Sequence, residues 1–272
     1  LAKAAPVFEL DRVSFTYEGG HPALRDVTMQ VAAGESLVLL GANGSGKSTL
    51  LKLLGGLLFA QRGLVRAFGV DLTPAALARE DFRRRFRRAV GLMFQNSESQ
   101  LFTTSVWDEV AFGPVQLGLP EEAVAARVAD CLRLVGLAGL ESRPPHRLSG
   151  GEKKKLALAA VLAVNPAVLL LDEPTGGLDP RSQHFLVELL RRLHRSGRTI
   201  VTATHHLDIV PEIADRVLVF GEDHRLLAGG TPREVLQDRD LLLAANLVSE
   251  HYHVHAHEGH DHGHYHCHWH GH

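Results

Sequence analysis

The sequence predicts an α/β protein with a mixed, mostly parallel sheet, an N-terminal antiparallel β subdomain and a helical subdomain set into the middle of the chain. Three observations carry this. The apolar run Leu37–Leu40 leads into a glycine-rich loop and then into the helix-forming Leu50–Leu54. Short apolar runs recur at Val168–Leu171, Thr199–Ala203 and Val217–Phe220, the pattern of parallel strands buried on both faces. From about residue 100 to 165 the apolar period lengthens to that of helices, most clearly over Glu121–Val135 and Glu152–Val164.

In chain order, Val7–Tyr17 and Val27–Val31 read as strands around the turn Glu18-Gly19-Gly20. Strand Ser36–Leu40 feeds the glycine-rich loop, and strand Ala89–Phe94 ends at Gln95. Leu156 to Leu171 is broken by Asn165-Pro166 and so reads as a buried helix, a turn and a buried strand. Asp179-Pro180 and Thr231-Pro232-Arg233-Glu234 are helix starts, each with a capping side chain and a first-turn proline, the second with a capping box. Three regions follow: a globular domain over 1–237 with its helical subdomain over about 96–165, an apolar helical connector over 238–250, and a histidine-rich tail over 251–272. The basic run Arg83–Arg88 reads first as a solvated helix face over Phe82 and Phe86, with docking to a partner or nucleic acid as the other reading.

At 272 residues the chain can bury a full core, and 45% hydrophobic with 22% charged residues is ordinary for a globular protein. A formal charge of −2 supplies no global field for nucleic acid, and none is expected as a partner. Cys131 and Cys267 offer no disulfide framework, which suits a reducing compartment. Neither a secretion signal nor an apolar run of about 18 residues is found, so the chain is expected to act beside a membrane rather than through it. Leu1 suggests a non-AUG start or a trimmed N-terminus.

The chemistry is concentrated in four places. Gly41-Ala-Asn43-Gly44-Ser45-Gly46-Lys47-Ser48-Thr49 satisfies G-x-x-x-x-G-K-[ST] between a strand and a helix, the loop that cradles nucleoside triphosphates. Its glycines let N–H groups turn toward phosphate oxygens, Lys47 suits the outer phosphates, and Ser48 suits Mg²⁺. Asp172-Glu173 ends an apolar strand, where Asp172 can hold Mg²⁺ and Glu173 can polarise a water; a solvated acidic turn is the bland alternative. Leu148-Ser149-Gly150-Gly151-Glu152 opens a helix, read either as a capping box alone or as an anion site at a bare helix N-terminus. His205 follows the strand Thr199–Ala203.

Together these residues resemble the ATP-binding subunits of ABC transporters over about residues 6–237. Leu148–Glu152 looks like the family signature, Gln95 the Q-loop, Gly177-Leu178-Asp179 the D-loop, His205 the switch histidine and Tyr17 the aromatic that stacks on adenine. The resemblance implies an ATPase using ATP and Mg²⁺. It implies a head-to-tail dimer, homo- or heteromeric, in which Tyr17, the loop from Gly41 through Thr49, Gln95, Asp172 and Glu173 of one subunit meet Ser149, Gly150 and Gly151 of the other. Ser48, Gln95 and Asp172 would hold Mg²⁺, Glu173 and His205 would be catalytic, and Asp179 would lie at the dimer interface. His206 stands where relatives often carry Asp, a change that could alter pH sensitivity, and Lys155 where Arg is common.

Asn96–Thr103, Val106–Pro114, His205–Pro211 and Gly229–Val235 are similar to the cobalt and nickel branch of energy-coupling-factor ATPases. Such proteins work with a transmembrane coupling subunit and a membrane substrate-binding subunit, which would place this chain on the cytoplasmic side of the cell membrane. In the tail, His251, His253, His255, His257, His260, His262, His264, His266, His268, His270 and His272 alternate with other residues. Imidazole suits Ni²⁺, Co²⁺ and Zn²⁺, and the segment is too polar to form a core, so a tail disordered without metal is expected. A purification tag and a simple solvating tail are its alternatives. The leading function is thus ATP-driven import of nickel or cobalt. The alternatives are a vitamin importer, a non-transport ABC protein and a metallochaperone GTPase, the last without its N/T-K-x-D motif.

Overall fold

The structure, a computed structural model, describes residues 6–249, 253–257 and 260–264. In chain order its elements are β1 (Pro6–Tyr17), β2 (His21–Ala32), β3 (Ser36–Leu40), α1 (Lys47–Leu54), β4 (Arg62–Ala67), β5 (Val70–Asp71), α2 (Pro74–Ala78), α3 (Glu80–Ala89), β6 (Val90–Met93), α4 (Val106–Gln116), α5 (Glu121–Val135) and α6 (Gly150–Ala163). There follow β7 (Val168–Asp172), α7 (Pro180–Arg195), β8 (Thr199–Thr204), α8 (Val210–Ile213), β9 (Arg216–Phe220), β10 (Leu226–Gly230), α9 (Pro232–Gln237), α10 (Arg239–Ala244), β11 (His253–His257) and β12 (His260–His264).

The main sheet has the order β10-β9-β3-β8-β7-β6. Its last five strands run parallel, and β10 adds an antiparallel edge. Every residue of β3, β7 and β8 is buried, as befits strands covered on both faces. Alternate side chains serve two cores: Val38 and Leu40 pack on the helical side with α4, α5 and α6, while Leu37 and Leu39 pack toward α1 and the N-terminal sheet. That second sheet, order β2-β1-β4-β5, is antiparallel throughout. The register pairs Leu40 with Thr204 and Asp172 with Ala203, so the ends of β3, β7 and β8 converge on one edge.

Several local expectations shift. β2 begins at His21 because its pairing with β1 continues down to Tyr17. Ala89 ends α3 instead of opening a strand; α3 is the arginine-rich helix, and Phe82 and Phe86 lie buried beneath it with ring centroids 5.8 Å apart. β4, β5 and β10 had no clear strand signal. In the tail, β11 and β12 pair as an antiparallel hairpin with His253 opposite His264, His255 opposite His262 and His257 opposite His260. This differs from a segment without regular structure, and the strict alternation of the sequence is itself a period-two, strand-like pattern. His251, His266, His268, His270 and His272 lie outside the described residues.

Candidate functional site

The loop Gly41–Gly46 leaves β3 and enters α1 at Gly46, whose φ is 108°. A Cβ there would lie 2.1 Å from the Ala23 carbonyl oxygen, and one on Gly41 would lie 2.9 Å from the Phe220 carbonyl, so both positions exclude side chains. Lys47 is 5% exposed. Its Nζ donates to the carbonyls of Gly41 (2.7 Å) and Ala42 (2.9 Å), bending back over the loop. Burial lowers its pKa, opposed by the nearby Glu173 and Asp172 charges. Tyr17 ends β1 partly exposed, and its hydroxyl shares a 3.2 Å hydrogen bond with Thr49 Oγ1 in the first turn of α1.

Asp172, also buried, ends β7. Burial raises its carboxyl pKa, which Glu173 reinforces and a hydrogen bond from Ser48 opposes, with smaller help from Lys47 and Lys52. Its Oδ1 has no hydrogen-bond partner, nor does the buried Ser45 Oγ. A buried carboxylate with one unpaired oxygen, hydrogen-bonded to the Ser48 hydroxyl, offers oxygen donors of the kind Mg²⁺ takes, so Asp172 and Ser48 fit that ion.

Glu173 follows with φ 45°, unusual for a residue with a side chain, and is held from several directions. Its N–H donates to Ala203 O at 2.9 Å. Its Oε2 accepts from Thr204 Oγ1 (3.1 Å), and its Oε1 is 2.7 Å from His205 Nδ1. Lys154 Nζ donates to the Glu173 carbonyl at 3.0 Å and also to the Gly176 carbonyl. Burial lowers the pKa of Lys154, and the Glu173 charge opposes this. The pairing of a carboxylate with a half-exposed imidazole suits Glu173 to accept a proton from a water that meets the pair from its exposed side.

Ser149 caps α6 with a complete capping box, its side chain accepting from Glu152 N at 3.3 Å and Glu152 Oε2 accepting from Ser149 N at 2.8 Å. A Cβ added to Gly150 would meet nothing within 4 Å, and one on Gly151 only ordinary contacts. Nothing within the described chain requires glycine at these two positions. Asp179 is exposed and caps α7, accepting from Ser182 N at 3.0 Å, and hydrogen bonding from the Ser182 side chain and then its backbone lowers its pKa. Gln95 lies exposed just beyond β6, and Asn43 and Gly44 are exposed at the loop tip.

The structure thus gathers the phosphate loop, Asp172, Glu173 and His205 at one sheet edge. Sequence reasoning missed Lys154 and Thr204, which brace Glu173, and Gln100, whose side chain holds the end of β6 through Phe94 N (2.9 Å) and Leu92 O (3.2 Å). Lys153 pairs with Glu98 at 3.1 Å and so ties the start of α6 to the segment after Gln95. A partly buried contact 19 residues apart, such as Lys154 with Glu173, leaves no local pattern to read.

The fold and this edge define a phosphate-binding-loop ATPase carrying a helical insertion. The sequence model of the ABC transporter family matches residues 24–176, and the chain belongs to that family. It is 50% identical over 246 residues to the nickel import ATP-binding protein NikO of Rhodobacter capsulatus, covering 89% of this chain and 96% of that one. Among solved structures it resembles cbiO1 from Clostridium perfringens, described as part of the ABC transporter complex cbiONQ, with TM-score 0.75 and 35% identity over 89% of this chain and 95% of that one. It also resembles a dimeric ATP-binding cassette in a post-hydrolysis state with ADP and phosphate, with TM-score 0.75 and 26% identity over 83% and 99% of the two chains. The protein hydrolyses ATP in the service of transport. Among the described residues no helix is long and apolar enough to cross a membrane.

Proposed function

We propose that the chain is the ATP-hydrolysing subunit of an importer of the energy-coupling-factor type, that it lies on the cytoplasmic face of the membrane, and that its complex takes up a divalent transition metal, nickel or cobalt. The observation that carries the mechanism is the pair of glycines at the start of α6. They lie at a capped helix start, and no neighbour among the described residues needs them. They fit a surface onto which a second subunit presses its bound ATP, and a similar cassette is itself a dimer bound to ADP and phosphate.

In this reading the loop N–H groups and Lys47 hold the phosphates, and Tyr17 offers its ring to the adenine. Ser48, Gln95 and Asp172 would hold Mg²⁺, which would supply charge stabilisation for the transferring phosphoryl group. Glu173 takes the proton of the attacking water, and His205 holds that water and the γ-phosphate in line. Thr204 and Lys154 keep Glu173 fixed while this occurs. Ser149, Gly150 and Gly151 complete the site from the other subunit, and Asp179 lies against it. Splitting one bound anion into two loosens the interface, and Gln95 passes that change to the transmembrane partner.

The metal cargo is supported by the histidine-rich tail and by the similarity to a nickel-import ATPase. The tail buffers or hands over metal, using alternate histidines as ligands. Removing residues 251–272 is expected to leave ATP turnover unchanged and to lower the number of Ni²⁺ or Co²⁺ ions bound per chain, read by equilibrium dialysis. An unchanged stoichiometry would end the buffering role.

A further inference from the structure

We propose that Glu173, His205 and His206 form a site for a divalent transition metal such as Zn²⁺, Co²⁺ or Ni²⁺, and that filling it arrests hydrolysis. Each of the three offers one ligand atom, and these atoms all lie within 4.8 Å of one another. It is the one group of this kind among the described residues. Metal–ligand bonds of about 2.0–2.2 Å place two ligands of one ion roughly 3.4 Å apart, so the three atoms need to close by no more than about 1.5 Å. The room exists: the His205 side chain is 40% exposed, His206 is half-buried, and their rings lie 4.2 Å apart at 33°.

The scaffold beneath is already set. Thr204 Oγ1 donates to Glu173 Oε2 at 3.1 Å and accepts the His206 N–H at 3.1 Å, so one hydroxyl fixes both the carboxylate and the backbone of the third ligand. The ring nitrogens of His206 have no hydrogen-bond partner among the described residues, which leaves them free to ligate. Two imidazoles and one carboxylate select borderline metals over Mg²⁺, which prefers oxygen and keeps its waters. The site is therefore chemically distinct from the Mg²⁺ position at Ser48 and Asp172. An ion there occupies the lone pairs with which Glu173 and His205 act on water. The metal site stands on these three side chains whatever the complex transports, and the arrest of hydrolysis rests on the roles proposed above for Glu173 and His205.

The test uses the full-length chain at saturating MgATP, with free Zn²⁺ set by a chelator buffer so that the tail cannot deplete it. Wild type is compared with His206→Asn, which keeps the backbone N–H in a half-buried loop position. Turnover without Zn²⁺ is expected to match. Zn²⁺ is expected to inhibit wild type, and the variant to need at least about tenfold more free Zn²⁺ for half-inhibition, since even outer-sphere losses weaken metal sites by that order. With Co²⁺ as the probe, a visible d–d band present in wild type and weaker in the variant reports the same site directly. Coincident inhibition curves, no inhibition of wild type, or inhibition relieved by added Mg²⁺ alone would each overturn the proposal.

Discussion

Replacing Glu173 by Gln keeps the side-chain shape and removes the capacity to take a proton. The amide oxygen can still accept from His205 Nδ1, 2.7 Å from Oε1 in the native protein. The amide nitrogen can donate to the Thr204 hydroxyl, which already accepts the His206 N–H and has a second acceptor position. One hydrogen bond is rearranged, which costs about 1 kcal/mol or less. That corresponds to a fall of roughly 2–4 °C in melting temperature. General-base assistance, by contrast, is worth about 10²–10⁴-fold. At about 1.36 kcal/mol per tenfold, the loss is about 2.7–5.4 kcal/mol of barrier stabilisation. Steady-state turnover, ATP affinity by calorimetry and thermal melting separate these effects. The expected result is a kcat lower by about 100-fold or more, with ATP affinity and melting temperature nearly unchanged. Turnover within about threefold of wild type would refute the reasoning, because no general base of this kind is worth so little. A collapse of ATP binding and melting temperature together would assign Glu173 a structural role instead.

Two further substitutions separate function from folding. Gly150→Ala places a methyl group where nothing within 4 Å obstructs it, and alanine favours helix by up to about 1 kcal/mol, so the melting temperature should hold or rise. ATP-driven self-association, measured by light scattering in a Glu173→Gln background, should nevertheless fall; undiminished association would remove the second subunit from this surface. Asp172→Asn relieves a buried carboxylate whose folded pKa is raised by burial. The folded state binds that proton more tightly than the unfolded one, so ionisation destabilises the native protein once pH rises above the ordinary carboxylate range. The variant should melt higher than wild type at neutral pH, with the gain vanishing in acid, and should lose Mg²⁺-dependent turnover. A lower melting temperature at neutral pH would show that Asp172 is compensated better than its unpartnered Oδ1 implies.

The elements that the sequence made legible are those with local signals. β3 and β7 announce themselves by the apolar runs Leu37–Leu40 and Val168–Leu171, β8 by its β-branched threonines, isoleucine and valine, and α5 falls at the expected Glu121–Val135. The caps at Ser149, Asp179 and Thr231 form as their side chains suggest. β4 and β10 were hidden because they carry arginine, glycine and exposed positions, and gain their strand character only by pairing with β1 and β9. The composition of the tail points to a segment without regular structure, while its alternation also fits the paired strands β11 and β12. At the site, the loop and the two carboxylates are contiguous motifs. Lys154, Thr204 and Gln100 act through contacts made only once α6, β7, β8 and β6 are packed, and a single sequence holds no trace of such contacts.

The central claim is that ATP hydrolysis at this site drives uptake of a transition metal. Its most direct test is accumulation of radiolabelled Ni²⁺ and Co²⁺ in cells lacking the gene and supplied with either the wild-type chain or Glu173→Gln, alongside labelled vitamins. Restored accumulation of one or both metals by wild type alone is the predicted result. Equal metal accumulation in both strains, with vitamin uptake restored only by wild type, would contradict it.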